Sequence, residues 1–250
     1  MKKTALLAAV AAFSAAAPAA AQGYLGLEYS SSDNGSDKYD VWQGEGAFGF
    51  GGDNWGSQIN ASVGQLGGDS EADIWTLGGH LWWQGDGWRL GAVAATTRLD
   101  FSGTKNYETQ YGVEGTWDVT PNAVLFSSYT IGDITTGGSA DATDWDLGVN
   151  FYAGDNLRIG GVVGFGSFDF GGPGNDFDTT SLGINGEFQP WTAPVSVTLA
   201  LNRYELQSDN VDAFRIGARW NFGGGTLRER DNATPFDTHT GLIDRSYGIW

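Results

Sequence analysis

Apolar and polar residues alternate strictly along most of this chain, and beyond residue 21 no helical stripe competes with them. In 107–119, Tyr107, Tyr111, Val113, Trp117 and Val119 share one parity, and Glu108, Gln110, Glu114, Thr116 and Asp118 share the other. Segment 144–151 repeats the pattern, with Trp145, Leu147, Val149 and Phe151 against Asp144, Asp146, Gly148 and Asn150. So does 213–222, with Phe214, Ile216, Ala218, Trp220 and Phe222 against Arg215, Gly217, Arg219 and Asn221. Successive side chains of a strand point to opposite faces, so this period specifies strands with one apolar and one polar face. Such segments fall near 23–30, 39–50, 55–66, 73–83, 88–100, 106–119, 123–133, 142–152, 157–169, 179–189, 195–206 and 211–222. Tilted strands of roughly 9–11 residues cross a bilayer core. The expected fold is all-β: an antiparallel, up-and-down transmembrane β-barrel of about twelve strands spanning 22–222.

The connections alternate in kind. Tight ones carry Gly52-Asp53-Asn54, Gly85-Asp86-Gly87, Thr120-Pro121-Asn122 and Gly154-Asp155-Asn156, which supply positive φ or a preset turn. Longer ones, at 31–38, 67–72, 102–105, 134–141 and 171–178, are rich in Ser, Gly and Asp. Short turns at one end and long loops at the other are the pattern of membrane barrels. Aromatics gather near both ends of the segments. Phe48, Phe50, Trp55, Trp82, Trp83, Trp88, Trp117, Phe151, Tyr152, Phe188, Trp191, Trp220 and Phe222 lie toward the tight turns. Tyr29, Tyr39, Trp75, Phe101, Tyr107, Tyr129, Trp145, Phe170 and Tyr204 lie toward the long loops. Two aromatic girdles are expected where such rings meet the interfaces. A soluble sandwich would place them mid-strand against a second sheet.

Composition fits this reading. A mean hydropathy of −0.26 is what alternation produces. The chain has no cysteine, so disulfides and Cys-based zinc sites are excluded. Its formal net charge of −17 repels phosphate backbones and argues against nucleic-acid binding. Residues 1–21 read as a secretory signal peptide: Lys2 and Lys3, an Ala-rich apolar run, then Ala19-Ala20-Ala21 before Gln22. Export to the outer membrane is expected.

The last segment carries the most specific motif. Arg215, Gly217, Trp220 and Phe222 read polar-x-Gly-x-x-aromatic-x-Phe. This resembles the C-terminal assembly signal of Gram-negative outer-membrane β-barrel proteins, and the pattern over 23–222 resembles a small porin-like member of that class. The resemblance implies recognition by the barrel-assembly machinery and a setting of outer-membrane lipid and lipopolysaccharide. Such proteins usually end at the aromatic, whereas here 223–250 follow. They are read as a Gly-led periplasmic tail, with a plug or a partner-binding peptide left open.

Strand parity selects the inward side chains. Many are small, including Gly26, Ala47, Gly49, Gly64, Gly78, Gly91, Gly112, Gly148, Gly160, Gly164, Gly183 and Gly217. They either leave room for water or relieve crowding at bends. The inward charges expected to line a pore are Glu28, Glu45, Arg89, Glu108, Glu114, Asp144, Asp146, Arg158, Glu187, Arg215 and Arg219. Glu108, Asp144 and Asp146 fall toward the outer mouth, where one sign of charge concentrates the opposite ion. Arg89 with Asp118 and Arg158 with Glu187 are alternatively plain cross-strand pairs.

Two motifs fail on context. Gly44-Glu45-Gly46-Ala47-Phe48-Gly49 fits G-x-G-x-x-G but sits in a strand with no helix after it. The segment 171–176 fits the first six positions of the calcium nonapeptide, a motif that works only in tandem, and this copy is alone. His80 and His239 have no nucleophile or metal-ligand pattern around them, so neither an enzyme, a metal nor a cofactor is implied. The expected function is a porin-like channel, monomeric or oligomeric, for passive diffusion of small hydrophilic solutes or ions, weakly cation-preferring. The alternatives are a structural or adhesive barrel with a filled lumen and, behind it, a barrel enzyme.

Overall fold

The computed structural model describes residues 22–67, 72–101, 104–135, 139–171, 176–206, 209–237 and 241–247. The signal-peptide reading, His239 and parts of most long loops lie outside them. Twelve antiparallel strands close into one barrel, each paired to its sequence neighbours, with the first paired to the last. They are β1 (Gln22–Asp33), β2 (Lys38–Gly51), β3 (Trp55–Gly67), β4 (Ala72–Gly85), β5 (Trp88–Phe101), β6 (Thr104–Thr120), β7 (Ala123–Thr135), β8 (Ser139–Tyr152), β9 (Leu157–Asp169), β10 (Asp176–Phe188), β11 (Val195–Leu206) and β12 (Asp209–Phe222). Each expected segment coincides with a strand, displaced by a few residues at most. Closure leaves no free sheet edge, which a bilayer requires because it offers no partner to an unpaired backbone group.

Register places the two parities as expected. Glu28 opposes Gly217, Arg158 opposes Glu187 and Asp146 opposes Gly164, all facing inward. The outer face carries exposed Leu81, Leu90, Val113, Ile159, Leu182 and Ile184. The buried interior holds Gln58, Asn60, Glu108, Asp144, Glu187 and Arg219. A polar inside with an apolar outside inverts a soluble protein and fits lipid as the surrounding solvent. Trp55, Trp83, Trp88, Trp117, Phe151, Phe188 and Trp220 are exposed toward the short turns, and Tyr107, Tyr129, Trp145 and Phe170 toward the long loops. Five aromatics expected in the girdles instead face inward: Tyr39, Trp82, Phe101, Tyr152 and Tyr204. Their parity is that of the polar residues.

The inner wall also has apolar ground near the long loops. Val41, Leu66, Ala72, Ile74 and Leu99 form one buried cluster, and Ile134, Ala140, Ala142 and Phe168 another. These residues break the alternation at the long-loop ends of their strands.

Past β12 the chain turns back into the barrel. Gly223, Gly224 and Gly225 all have positive φ, at 91°, 75° and 92°, a run that only glycine adopts without strain. Two short helices follow: α1 (Leu227–Ala233) and α2 (Leu242–Ser246). A capping box starts α1: the Glu229 amide donates to Thr226 Oγ1 (3.3 Å) and the Thr226 amide donates to Glu229 Oε2 (2.8 Å). Of the roles left open for 223–250, the described residues of 223–247 take that of a plug, running up the lumen rather than away from it. The physical reason is the wall, whose inward charges and glycines suit a polar peptide better than an empty bore.

Candidate functional site: a lumen threaded by the C-terminal tail

Near the short turns, Glu187 is the centre of an ionic cluster. Arg230 of α1 donates to both its carboxylate oxygens (2.5 and 2.9 Å). Arg219 reaches Glu187 at 2.9 Å and Glu45 at 2.7 Å, and Arg158 lies 3.3 Å from Glu187. Arg158 also bonds Asp231 of α1 (3.0 Å), which accepts from the Tyr152 hydroxyl (3.0 Å). Arg219 and Arg230 both lie over the ring of Tyr24, at 4.1 and 5.2 Å from its centroid. The expected Arg158–Glu187 cross-strand pair is present. Arg89 instead donates to Thr116 (3.4 Å) and to Asn232 of α1 (3.2 Å).

Gly49 shows how the wall admits the tail. A Cβ there would lie 1.9 Å from the carbonyl oxygen of Ala233, so any other residue would collide with the end of α1. Neither room for water nor relief at a bend accounts for this position, where the space is taken by the peptide backbone of the tail. At Gly164 and Gly183 the room is taken by neighbouring Asp146, Ser181 and Asn202 side chains.

Midway, Phe236 is the apolar anchor. It stacks on His80 (5.6 Å, 7°) and meets Trp82 edge-on (5.4 Å, 71°). The Gln58 side chain donates to its carbonyl oxygen. His80 Nδ1 lies 2.8 Å from Glu114, so this inward histidine is part of a paired, stacked structure.

Farther up, α2 meets the acids expected at the outer mouth. Arg245 binds Asp144 (2.9 Å) and Asp146 (3.3 Å). Glu108 accepts the Ile243 amide (2.9 Å), and Gln110 bridges Asp144 (2.7 Å) and Glu108 (3.1 Å). Ile243 completes the cluster of Val41, Leu66, Ile74 and Leu99, and full burial of such a side chain contributes about 1.5–3 kcal/mol. Tyr247 packs on Tyr39 and Phe101, and the Ser32 hydroxyl donates to its carbonyl oxygen (2.7 Å).

The structure therefore places every expected pore-lining charge on the inner wall, and brings most of them onto the tail. Glu45, Arg158, Glu187 and Arg219 gather around α1, and Glu108, Asp144 and Asp146 around α2. Glu28 and Arg215 face each other across β1 and β12 (3.4 Å). In the assembly motif Arg215 and Gly217 face inward, Trp220 faces outward and Phe222 packs against Phe48 (5.1 Å) beside the β1–β12 closure. Sequence reasoning missed Arg230, Asp231, Phe236, Ile243 and Arg245. The Gly223-Gly224-Gly225 turn and the Thr226–Glu229 capping box were signals for a folded tail. Nothing local showed where it docks.

These features define a class: a closed twelve-strand outer-membrane-type β-barrel carrying a peptide of its own chain in its bore. No protein-family profile and no curated protein matches the sequence. Solved structures match in fold. The translocator domain of the autotransporter NalP from Neisseria meningitidis has a TM-score of 0.54 at 12% identity, over 89% of this chain and 95% of that one. The beta domain of the Bordetella autotransporter BrkA gives 0.54 at 14%, over 81% and 100%. The NanC porin gives 0.55 at 10%, over 78% and 98%. The chain thus has the fold of outer-membrane β-barrel proteins.

Proposed function

We propose that this protein is an outer-membrane channel for small hydrophilic solutes or ions, closed while residues 223–247 occupy the lumen and opened when they leave. The observation that carries this reading is how the tail is held. It is fixed largely by ion pairs and hydrogen bonds to a polar wall, with Leu227, Phe236, Ile243 and Tyr247 as apolar contacts. Buried ion pairs add little net stability because desolvation offsets their attraction. Helices as short as α1 and α2 do not persist alone. Such a segment, leading away from β12, can withdraw as a unit without disturbing the strand ladder.

Withdrawal would uncover Glu108, Asp144 and Asp146, whose charge favours cations in passive diffusion. The same reading places the protein in the outer membrane, bounded by lipid and lipopolysaccharide and delivered by the barrel-assembly machinery through Arg215, Gly217, Trp220 and Phe222. It assigns no catalytic role to His80. A second reading, a permanently filled structural or adhesive barrel, is favoured by the density of the Glu187 cluster.

Planar-bilayer conductance under a salt gradient separates the two. The wild-type chain should be silent or open rarely. The full-length Arg230→Ala/Arg245→Ala double variant and a chain ending at Phe222 should show discrete steps with a cation-signed reversal potential. Silence from both, with the folded barrel still heat-modifiable on gels, would favour the structural reading.

A further inference from the structure

The tail shows what its docking sites can hold. It enters two ionic clusters, and they differ in what its departure leaves. Glu187 keeps Arg158 and Arg219 of the wall when Arg230 goes. Asp144 and Asp146 have Arg245 as their cation among the described residues, so withdrawal of α2 leaves both carboxylates facing the bore. The pocket they form fits a guanidinium. Nη1 of Arg245 lies 2.9 Å from Asp144 Oδ1 and Nη2 lies 3.3 Å from Asp146 Oδ1, so the two tips of one planar fork meet two carboxylates of β8. On β9, Gly166 stands opposite Asp144 and Gly164 opposite Asp146. A Cβ at Gly166 would lie 2.6 Å from Asp144 Oδ1 and 3.3 Å from Arg245 Nη1, so the wall is bare where carboxylate and fork lie. Thr179 of β10 sits beside them, 3.5 Å from Nη1.

The seated arginine does not satisfy this pocket fully. Among the described residues, Arg245 Nε is buried without a hydrogen-bond partner, and Asp144 Oδ1 meets the charge of Nη1 without a directed hydrogen bond. Buried polar atoms left in this way cost free energy. A guanidinium carried by α2 has its approach set by the helix, whereas a free one can turn its fork to both acids. We infer that this pocket is the recognition site for the channel's solute, a small guanidinium-bearing cation, and that Arg245 holds the place until that solute competes for it. The pocket stands on its own geometry; its part in passage rests on the gated-channel reading. An ammonium of equal charge is a point donor without the fork, so it does not span the two acids in the same way. A ligand that binds only the released state raises the population of that state by mass action, so the solute opens its own path.

The test is carboxypeptidase digestion of the full chain, refolded in detergent, with n-propylguanidinium or n-propylammonium chloride at matched ionic strength. A free peptide of residues 241–250 controls for effects on the protease. At about 50 mM, against a dissociation constant of about 5 mM, n-propylguanidinium should speed loss of the tail about elevenfold, and n-propylammonium less than about twofold. In the Asp144→Asn/Asp146→Asn variant the two salts should act alike, with the barrel still heat-modifiable. Equal acceleration of the wild type by both salts, no acceleration by either, or undiminished guanidinium selectivity in that variant would each overturn the site. Conducting tail variants in the bilayer, beside unselective digestion, leave the gated channel standing and remove the guanidinium site. Guanidinium-selective digestion with both tail variants silent keeps the site and removes the channel.

Discussion

Replacing Arg245 with alanine should release the upper half of the tail. Arg245 is 1% exposed and is the described cation facing both Asp144 and Asp146. Its loss leaves two carboxylates of like charge on the same wall strand, with Gln110 the remaining polar partner of Asp144. Breaking a buried ion pair costs about 3–5 kcal/mol, because the remaining charge is stranded. The lower end applies here, since Asp146 borders a cavity that admits water and is 9% exposed. At about 1.4 kcal/mol per decade, 3 kcal/mol shifts the docked-to-released ratio roughly 100-fold. Carboxypeptidase digestion reads that ratio, since cleavage past Tyr247 requires the released state and its rate follows the open population when redocking is fast. The variant should be digested about 100-fold faster than wild type, with heat-modifiability of the barrel unchanged. Adding Asp144→Asn and Asp146→Asn should recover much of the loss, because no charge is then stranded. A change of less than about threefold in the single variant would refute the claim that this ion pair holds α2 in place.

Other outcomes follow from the same geometry. Gly49→Val should unseat α1 by collision with Ala233, raising tail digestion while the strand ladder stays intact; undiminished protection would refute the close approach. Phe236→Ala should cost about 3 kcal/mol and loosen the segment between the helices, read as faster hydrogen exchange at 234–237. Brominated lipid should quench fluorescence from Trp83 and Trp117, exposed on the outer face, and leave Trp82 bright against Phe236; equal quenching in single-tryptophan variants would overturn the inward placement. Raising salt should barely change tail digestion, since buried pairs are screened little. The half-exposed Arg203–Asp212 pair, in contrast, should weaken.

Period-two alternation was enough to locate the strands, their two faces and an approximate count of twelve; the closure of β1 on β12 came from the tertiary structure. A one-residue slip would turn every charge toward lipid, so the pattern fixes the parity of the register, and the structure supplies the partners within that parity. That is why Glu108, Asp144, Arg158 and Glu187 could be placed on the inner wall from sequence. Parity says which way a side chain points, and it is silent on what the side chain meets there. Arg245 meets Asp146 across 99 residues of chain, and Ser32 meets Tyr247 across 215. Trp82 and Tyr152 share aromatic character with the girdles, yet they serve the tail, because their strands turn them inward. Whether the bore holds water or peptide depends on the three-dimensional match of Gly49 to Ala233, Glu187 to Arg230 and the apolar inner patch to Ile243. Only the closed barrel brings those partners together.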